Sequence, residues 1–230
     1  MTTVLVLAFD TATPAVTAAL HDGRRVLAES TTVDARRHGE LLAPTIERVL
    51  AESGAALRDV TAIAVGSGPG PYTGLRVGLM TAQALSTTLG VPAYGVCTLD
   101  ALAYGTGLSE PFLVATDARR KEVFWGHYAD ARTRLSGPAV DKPQDLPADL
   151  PLAGAGARMY AEIVGASRLL DVPELPSAGA LAALAASRLD DADLREVVES
   201  GAHPVLGLPR PIYLRRPDAQ VPAPPKKVSR

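Results

Sequence analysis

The chain has 230 residues, of which 47% are hydrophobic. That suffices for one large folded domain or two of about 100 residues each. A formal net charge of −2 and a pI near 6.1 supply no basic field, which argues against autonomous, non-specific binding to RNA or to a membrane surface. The single Cys97 allows no internal disulfide and fits a reducing compartment. Met1-Thr2-Thr3 leads directly into an apolar segment without a basic region or cleavage site, and no apolar run reaches about 18 residues, so a cytoplasmic location is expected.

Val4-Leu5-Val6-Leu7-Ala8-Phe9 is predicted to be a buried strand, ended by the turn formers Asp10-Thr11-Ala12-Thr13-Pro14. Ala15 to Leu20 resumes as a second strand, and Asp22-Gly23 is a hairpin signal that returns the chain as a third strand over Val26 to Val33. From about His38 to Ala51, Leu41, Leu42, Ile46, Val49 and Leu50 recur at helical spacing; Pro44 inside this run removes one backbone donor, so a short first turn or a bend is expected there. Ala62 to Val65 is a fourth strand, and it feeds the stretch Gly66-Ser67-Gly68-Pro69-Gly70-Pro71-Tyr72-Thr73-Gly74-Leu75-Arg76-Val77-Gly78.

Such a glycine-rich junction exposes backbone N–H groups beside a helix N-terminus, an arrangement that favours an anion. It fits no named phosphate motif: no Gly-Lys-Ser/Thr follows, Pro71 stands where a dinucleotide fingerprint needs its third glycine, and Ser67 is misplaced for a nucleophile elbow. A structural strand-to-helix turn, common at such junctions, is the reading preferred on local evidence. The helix that follows, about Thr73 to Leu89, places Gly74, Gly78 and Ala82 four apart. This stripe admits a close neighbour, either from within the chain or from a partner.

Gly90-Val91-Pro92 stops the helix, Ala93 to Cys97 reads as a strand parallel to its predecessor, and a short helix spans Leu99 to Tyr104. Gly105 to Pro111 is the expected boundary between two lobes. Beyond it, an apolar strand ends at Asp117 and the next begins near Val123, as one ends at Asp10 and the next begins near Val16. The repeated six-residue step suggests two related lobes. Residues 136–151 read as irregular, Gly154-Ala155-Gly156-Ala157 as a second strand-to-helix turn, and Ala178 to Leu189 as an Ala/Leu-rich helix completing the smaller lobe. The division expected is 1–105, 106–216 and a disordered tail over 217–230.

Few residues announce chemistry. His21, His38, His127 and His203 lie too far apart for an H-x3-H metal site. Asp10 and Asp117, at strand ends, suit either turn capping or a Mg2+-nucleotide. Cys97 in a buried strand is expected to be inert.

Asp10-Thr11-Ala12-Thr13, the run Arg37-His38-Gly39-Glu40-Leu41-Leu42-Ala43-Pro44-Thr45-Ile46, the stretch Gly68 to Gly78 and Val96-Cys97-Thr98-Leu99-Asp100-Ala101-Leu102 together resemble the bacterial TsaB (YeaZ) family. The match is dense over residues 4–130 and returns at Pro211-Ile212-Tyr213-Leu214-Arg215. The resemblance implies an α/β actin-like ATPase fold of two RNase H-like lobes with mixed sheets, the second reduced. It also implies a partner of TsaD in forming N6-threonylcarbamoyladenosine at position 37 of tRNAs that read codons beginning with A. The related catalytic subunit, TsaD, carries an H-x3-H metal pair where this chain has Thr98 and Leu102, so no catalytic residue and no metal site are expected here.

The Asp10 turn also lacks the glycine that follows by two in many nucleotide-binding relatives. What the resemblance then implies is a non-catalytic scaffold with no cofactor of its own, ATP or ADP with Mg2+ being allowed only in the assembled complex. Its expected partners are TsaD, TsaE and a second copy of itself, with tRNA reached only through the complex and no membrane. The candidate partner surface is His38, Leu41, Leu42, Thr45, Ile46, Val49, Gly74, Val77, Gly78, Thr81 and Ala82. The candidate anion contacts are Asp10, Thr11, Gly68, Gly70 and Thr73. The competing reading is a small kinase or ATPase of the actin-like superfamily using Asp10, Asp117 and the Gly68–Gly74 loop; a peptidase reading lacks both a metal pair and a nucleophile elbow.

Overall fold

The structure is a computed structural model that describes residues 4–189, 198–201, 203 and 205–215; the tail expected to be disordered lies outside them. Strands β1 (Val6–Asp10), β2 (Ala15–His21) and β3 (Val26–Val33) form an antiparallel meander. Helix α1 (His38–Ser53) leads to β4 (Ala62–Gly66), which runs parallel to β1, and α2 (Tyr72–Leu89) leads to β5 (Ala93–Val96), which runs parallel to β4. Helix α3 (Thr98–Thr106) ends the first half. Pro44 does not break α1, which is assigned without interruption from His38 to Ser53.

The second half repeats the plan. Strands β6 (Phe112–Asp117), β7 (Val123–Asp130) and β8 (Thr133–Asp141) form another antiparallel meander, and β9 (Leu152–Ala153) runs parallel to β6. Short helices α4 (Ala155–Met159) and α5 (Ala161–Val164) follow, then α6 (Ala178–Ala186) and β10 (Leu206–Gly207). The sheet orders are β10-β5-β4-β1-β2-β3 and β8-β7-β6-β9. The runs β3-β2-β1-β4 and β8-β7-β6-β9 therefore share one order and one pattern of directions, that of the RNase H-like lobe, and the second sheet is the smaller. This is the two-lobed actin-like fold, and the repeated strand-turn-strand step is its visible trace in the sequence.

Two expectations need correction. Residues 133–141 form strand β8, so the irregular reading of residues 136–151 fails over its first part. Pro138 misled it, but β8 is the edge of its sheet, where a missing N–H donor is tolerated. Helix α6 does not complete the second lobe; it packs on the first sheet against β1 and β2 and against α3. The reason lies in alternation along the strands. Leu7, Phe9, Ile63 and Val65 point to the face covered by α1 and α2, whereas Val6, Ala8, Ala62 and Ala64 point to the other. That small-residue face accepts the equally small Ala182 and Ala185 of α6 at close range, with Leu181 and Leu184 filling the remainder. Ser177 caps α6 by accepting from the Ala180 N–H at 3.1 Å, and its hydroxyl donates to Glu29 on β3 at 2.8 Å.

Candidate functional site

Asp10 ends β1 at the centre of the first sheet and is fully buried. Its Oδ1 accepts from the Ala12 N–H at 2.6 Å and its Oδ2 accepts from the Thr98 hydroxyl at 2.7 Å. Thr98 Oγ1 in turn accepts from the Gly68 N–H at 3.2 Å, while the Thr98 N–H donates to the Gly68 carbonyl at 2.7 Å. Gly66 lies so close that any Cβ there would collide with the Asp10 carboxylate. Burial pushes the Asp10 carboxyl up to about 6, although the Ala12 amide, the Thr98 hydroxyl and the nearby His38 pull the other way. The carboxylate ties the β1–β2 turn to the glycine loop and to the start of α3.

Thr11 performs a second tie. Its hydroxyl donates to the Gly74 carbonyl at 2.7 Å and accepts from the Gly78 N–H at 3.0 Å, bridging one rung of α2. A Cβ at Gly74 would strike the Thr11 carbonyl, and one at Gly78 would lie 2.7 Å from Thr11 Oγ1. Gly74, Gly78 and Ala82 are all buried. At Gly74 and Gly78 the stripe thus receives Thr11 of the chain's own Asp10–Thr13 turn, and Ala82 lies in the core, so of the two readings the neighbour is internal and these three residues leave the candidate partner surface.

The remaining candidates divide in the same way. Leu42, Thr45, Ile46 and Val49 are buried in the core, and the Thr45 hydroxyl donates to the Leu41 carbonyl at 2.7 Å. His38 is half-buried, its Nε2–H donating to the Thr13 carbonyl at 2.8 Å. Leu41, Val77 and Thr81 are half-buried at the rim. Outward from them stand residues that the sequence reading missed: Tyr72 is 57% and Met80 60% exposed, and Tyr213, 48% exposed, stacks on Tyr72 with ring centroids 5.5 Å apart. Arg76 lies over the Tyr72 ring and donates to its hydroxyl at 3.0 Å. Positions 72, 76 and 80 are offset by two from 74, 78 and 82, which turns them about 200° around a helix. The signal was therefore present once the inward face was known.

Of the anion candidates, the Gly68 amide is taken by Thr98, Asp10 is sealed, and Gly70 is pressed against the Ala12 carbonyl. Thr11 and Thr73 do meet, lining a cavity of about 250 Å3 with Arg36, His38 and Arg119. Asp117 accepts from the Arg119 N–H at 2.8 Å and pairs with the Arg119 guanidinium at 3.4 Å. Among the described residues, no group of three or more His, Cys, Asp or Glu is placed to hold a metal ion. No helix there is long and apolar enough to cross a membrane. Cys97 is buried, and burial pushes its thiol up to about 12, aided by the charge of Asp100.

The Thr98→Val variant keeps the shape but removes the donor to Asp10 and the acceptor for Gly68. It is expected to lose about 2 kcal/mol or more of stability, since two buried polar groups go unpaired. Urea unfolding of the two proteins would measure it; equal midpoints would show that the bridge does not carry the junction.

These features define a two-lobed actin-like chain whose β1 carboxylate works as an internal strut. A family model described as TsaD, tRNA N6-adenosine threonylcarbamoyltransferase, matches residues 25–175. YeaZ from Pseudomonas aeruginosa is similar in structure with a TM-score of 0.72 at 33% identity, over 92% of this chain and 100% of that one. The tRNA threonylcarbamoyladenosine biosynthesis protein TsaB of Escherichia coli is 38% identical over 126 residues, 54% of each chain. An uncharacterized protein of Mycobacterium tuberculosis is 44% identical over 218 residues, 94% of this chain and 93% of the relative. The chain belongs to the TsaB (YeaZ) family, and its role lies in the biosynthesis of threonylcarbamoyladenosine in tRNA.

Proposed function

We propose that the chain is a non-catalytic subunit that binds and activates TsaD during threonylcarbamoyl transfer to adenosine 37 of tRNAs reading ANN codons. The observation that carries this reading is the sealing of Asp10: the carboxylate that an actin-like ATPase would turn toward Mg2+ is fully buried and bonded to Ala12 and Thr98. The competing ATPase reading also needs Asp117 and the Gly68 amide, both of which have internal partners. Titration of the isolated chain with Mg-ATP is therefore expected to give no saturable heat.

The surface offered to TsaD is the outward side of the α1–α2 pair, centred on Met80, Tyr72 and Arg76 and rimmed by Leu41, Val77 and Thr81. Exposed aromatic, Met and Arg side chains are the types enriched at interface centres. In the absence of TsaD the same face serves a second copy of the chain. Mixing the chain with TsaD, TsaE, threonylcarbamoyl-adenylate and tRNA is expected to restore modification that the chain alone does not give. The Met80→Glu variant is expected to weaken the complex about tenfold or more while melting like the parent, as a charge placed in a desolvated interface centre should. Activity of the chain without TsaD, or unchanged binding by Met80→Glu, would refute the respective part.

A further inference from the structure

A cavity of about 300 Å3 opens where α3, the β7–β8 hairpin and the end of α6 meet, on the other side of the first sheet from α1 and α2. Its lining includes three guanidinium groups, Arg132, Arg134 and Arg188, together with Thr133 and one carboxylate, Asp100. That carboxylate is already engaged. Asp100 Oδ1 accepts from Arg134 Nη1 at 2.9 Å and from the Tyr128 hydroxyl at 2.8 Å, so Asp100 balances Arg134 within the wall.

The other two cations have no such counterpart. Arg132 lies over the Tyr104 ring, 5.3 Å from its centroid, and forms no ion pair among the described residues. Arg188 forms neither an ion pair nor a side-chain hydrogen bond there, and its Nε is shut off from solvent with no acceptor. A guanidinium cannot relieve that deficit by deprotonating, and a buried donor left without an acceptor costs about 1–3 kcal/mol. Among the described residues the cavity thus carries two positive charges without a counter-ion, an unpaired buried donor and a neighbouring hydroxyl.

We propose that this cavity binds a small, multiply charged phosphate-type anion, such as pyrophosphate or the phosphate of a small ester, held by Arg188 and Arg132 with Thr133 at its side. Two guanidinium forks match the oxygens of a phosphate group, which takes several charge-assisted bonds at once, whereas one carboxylate would balance only one of them. The volume stands at the lower end of small-molecule sites, which run from about 300 to 1,000 Å3. The walls also give the site a consequence. Arg188 follows α6, which is packed on the first sheet, and Arg132 and Thr133 belong to the β7–β8 hairpin of the second. A bound anion would fasten the two lobes together. The proposal does not depend on TsaD binding, because the cavity shares no residue with the α1–α2 surface.

The test is calorimetric titration of the full chain with inorganic pyrophosphate, and separately with inorganic phosphate, against sodium chloride of matched ionic strength. Saturable binding of at least one anion is expected, with none for chloride. The Arg188→Gln variant is expected to weaken it about tenfold or more, one charge-assisted fork being lost. Arg132→Gln, at an exposed position, is expected to act in the same direction and guards against a folding defect in the first variant. No saturable binding of either anion by the parent chain, or parent-like affinity in both variants, would overturn the proposal.

Discussion

The Gly78→Leu variant is expected to lose about 3 kcal/mol or more of folding stability, the upper range for overpacking a closed core. At this position even a Cβ would lie 2.7 Å from Thr11 Oγ1 and 3.4 Å from Val65 Cγ2, so four added carbons have no space. Displacing Thr11 would also release the Gly74 carbonyl and the Gly78 N–H that its hydroxyl bridges. The damage then spreads to the Asp10 turn, since Thr11 follows Asp10 directly. Denaturant unfolding checks the size of the loss, and binding to TsaD separates the two meanings of the stripe. A variant as stable as its parent but unable to bind would restore the partner-groove reading; an unstable variant whose remaining folded fraction binds normally is what inward packing requires.

The history of that stripe shows what the sequence could and could not disclose. The unbroken apolar run Val4–Phe9, the Asp22-Gly23 hairpin and the Gly66–Gly78 junction each reflect local chemistry, and each led to an element where it was expected. Gly74, Gly78 and Ala82 disclosed a close approach but not what approaches, because the partner, Thr11, lies over 60 residues earlier. Helix α6 is apolar on nearly all sides, so no periodicity aimed it, and only the small residues Ala8, Ala62 and Ala64 across the sheet decide its seat. The Asp100–Arg134–Tyr128 cluster joins three elements through pairs about 30 residues apart. No local pattern marks such a cluster. The family resemblance placed the candidate surface on α1 and α2, yet it counted core residues such as Leu42 and Val49 among the contacts, since amphipathic spacing marks a buried face without saying what buries it.

The Asp10→Asn variant is expected to be more stable than its parent at pH 7 and to lose that advantage as the pH falls toward 4. In the folded chain the carboxyl sits at about 6 against an ordinary value of 3.8. The folded state therefore holds a proton more tightly than the unfolded state, and between these two values it binds more protons. Stability from this group must then fall as pH rises through the interval, and the gap of about two units corresponds to about 3 kcal/mol. Asparagine keeps the oxygen that accepts from Ala12 and removes the buried charge, so its own stability has no such dependence. Asp22 and Asp34, held low mainly by backbone N–H bonds, act in the opposite sense, and Asp100, held high by burial, acts in the same sense. All three are common to both proteins, so the difference between the two unfolding curves isolates Asp10. A difference that stays constant from pH 4 to 7 would mean that Asp10 is not the strained charge described above, and the case against a nucleotide role for it would lose its support. If the difference does grow with pH, the chain keeps at its centre a carboxylate that opposes folding at neutral pH. Such a group is tolerated because Oδ1 and Oδ2 hold the β1–β2 turn against Thr98 and the glycine loop, and that junction sets the position of α2, the helix proposed above to face TsaD.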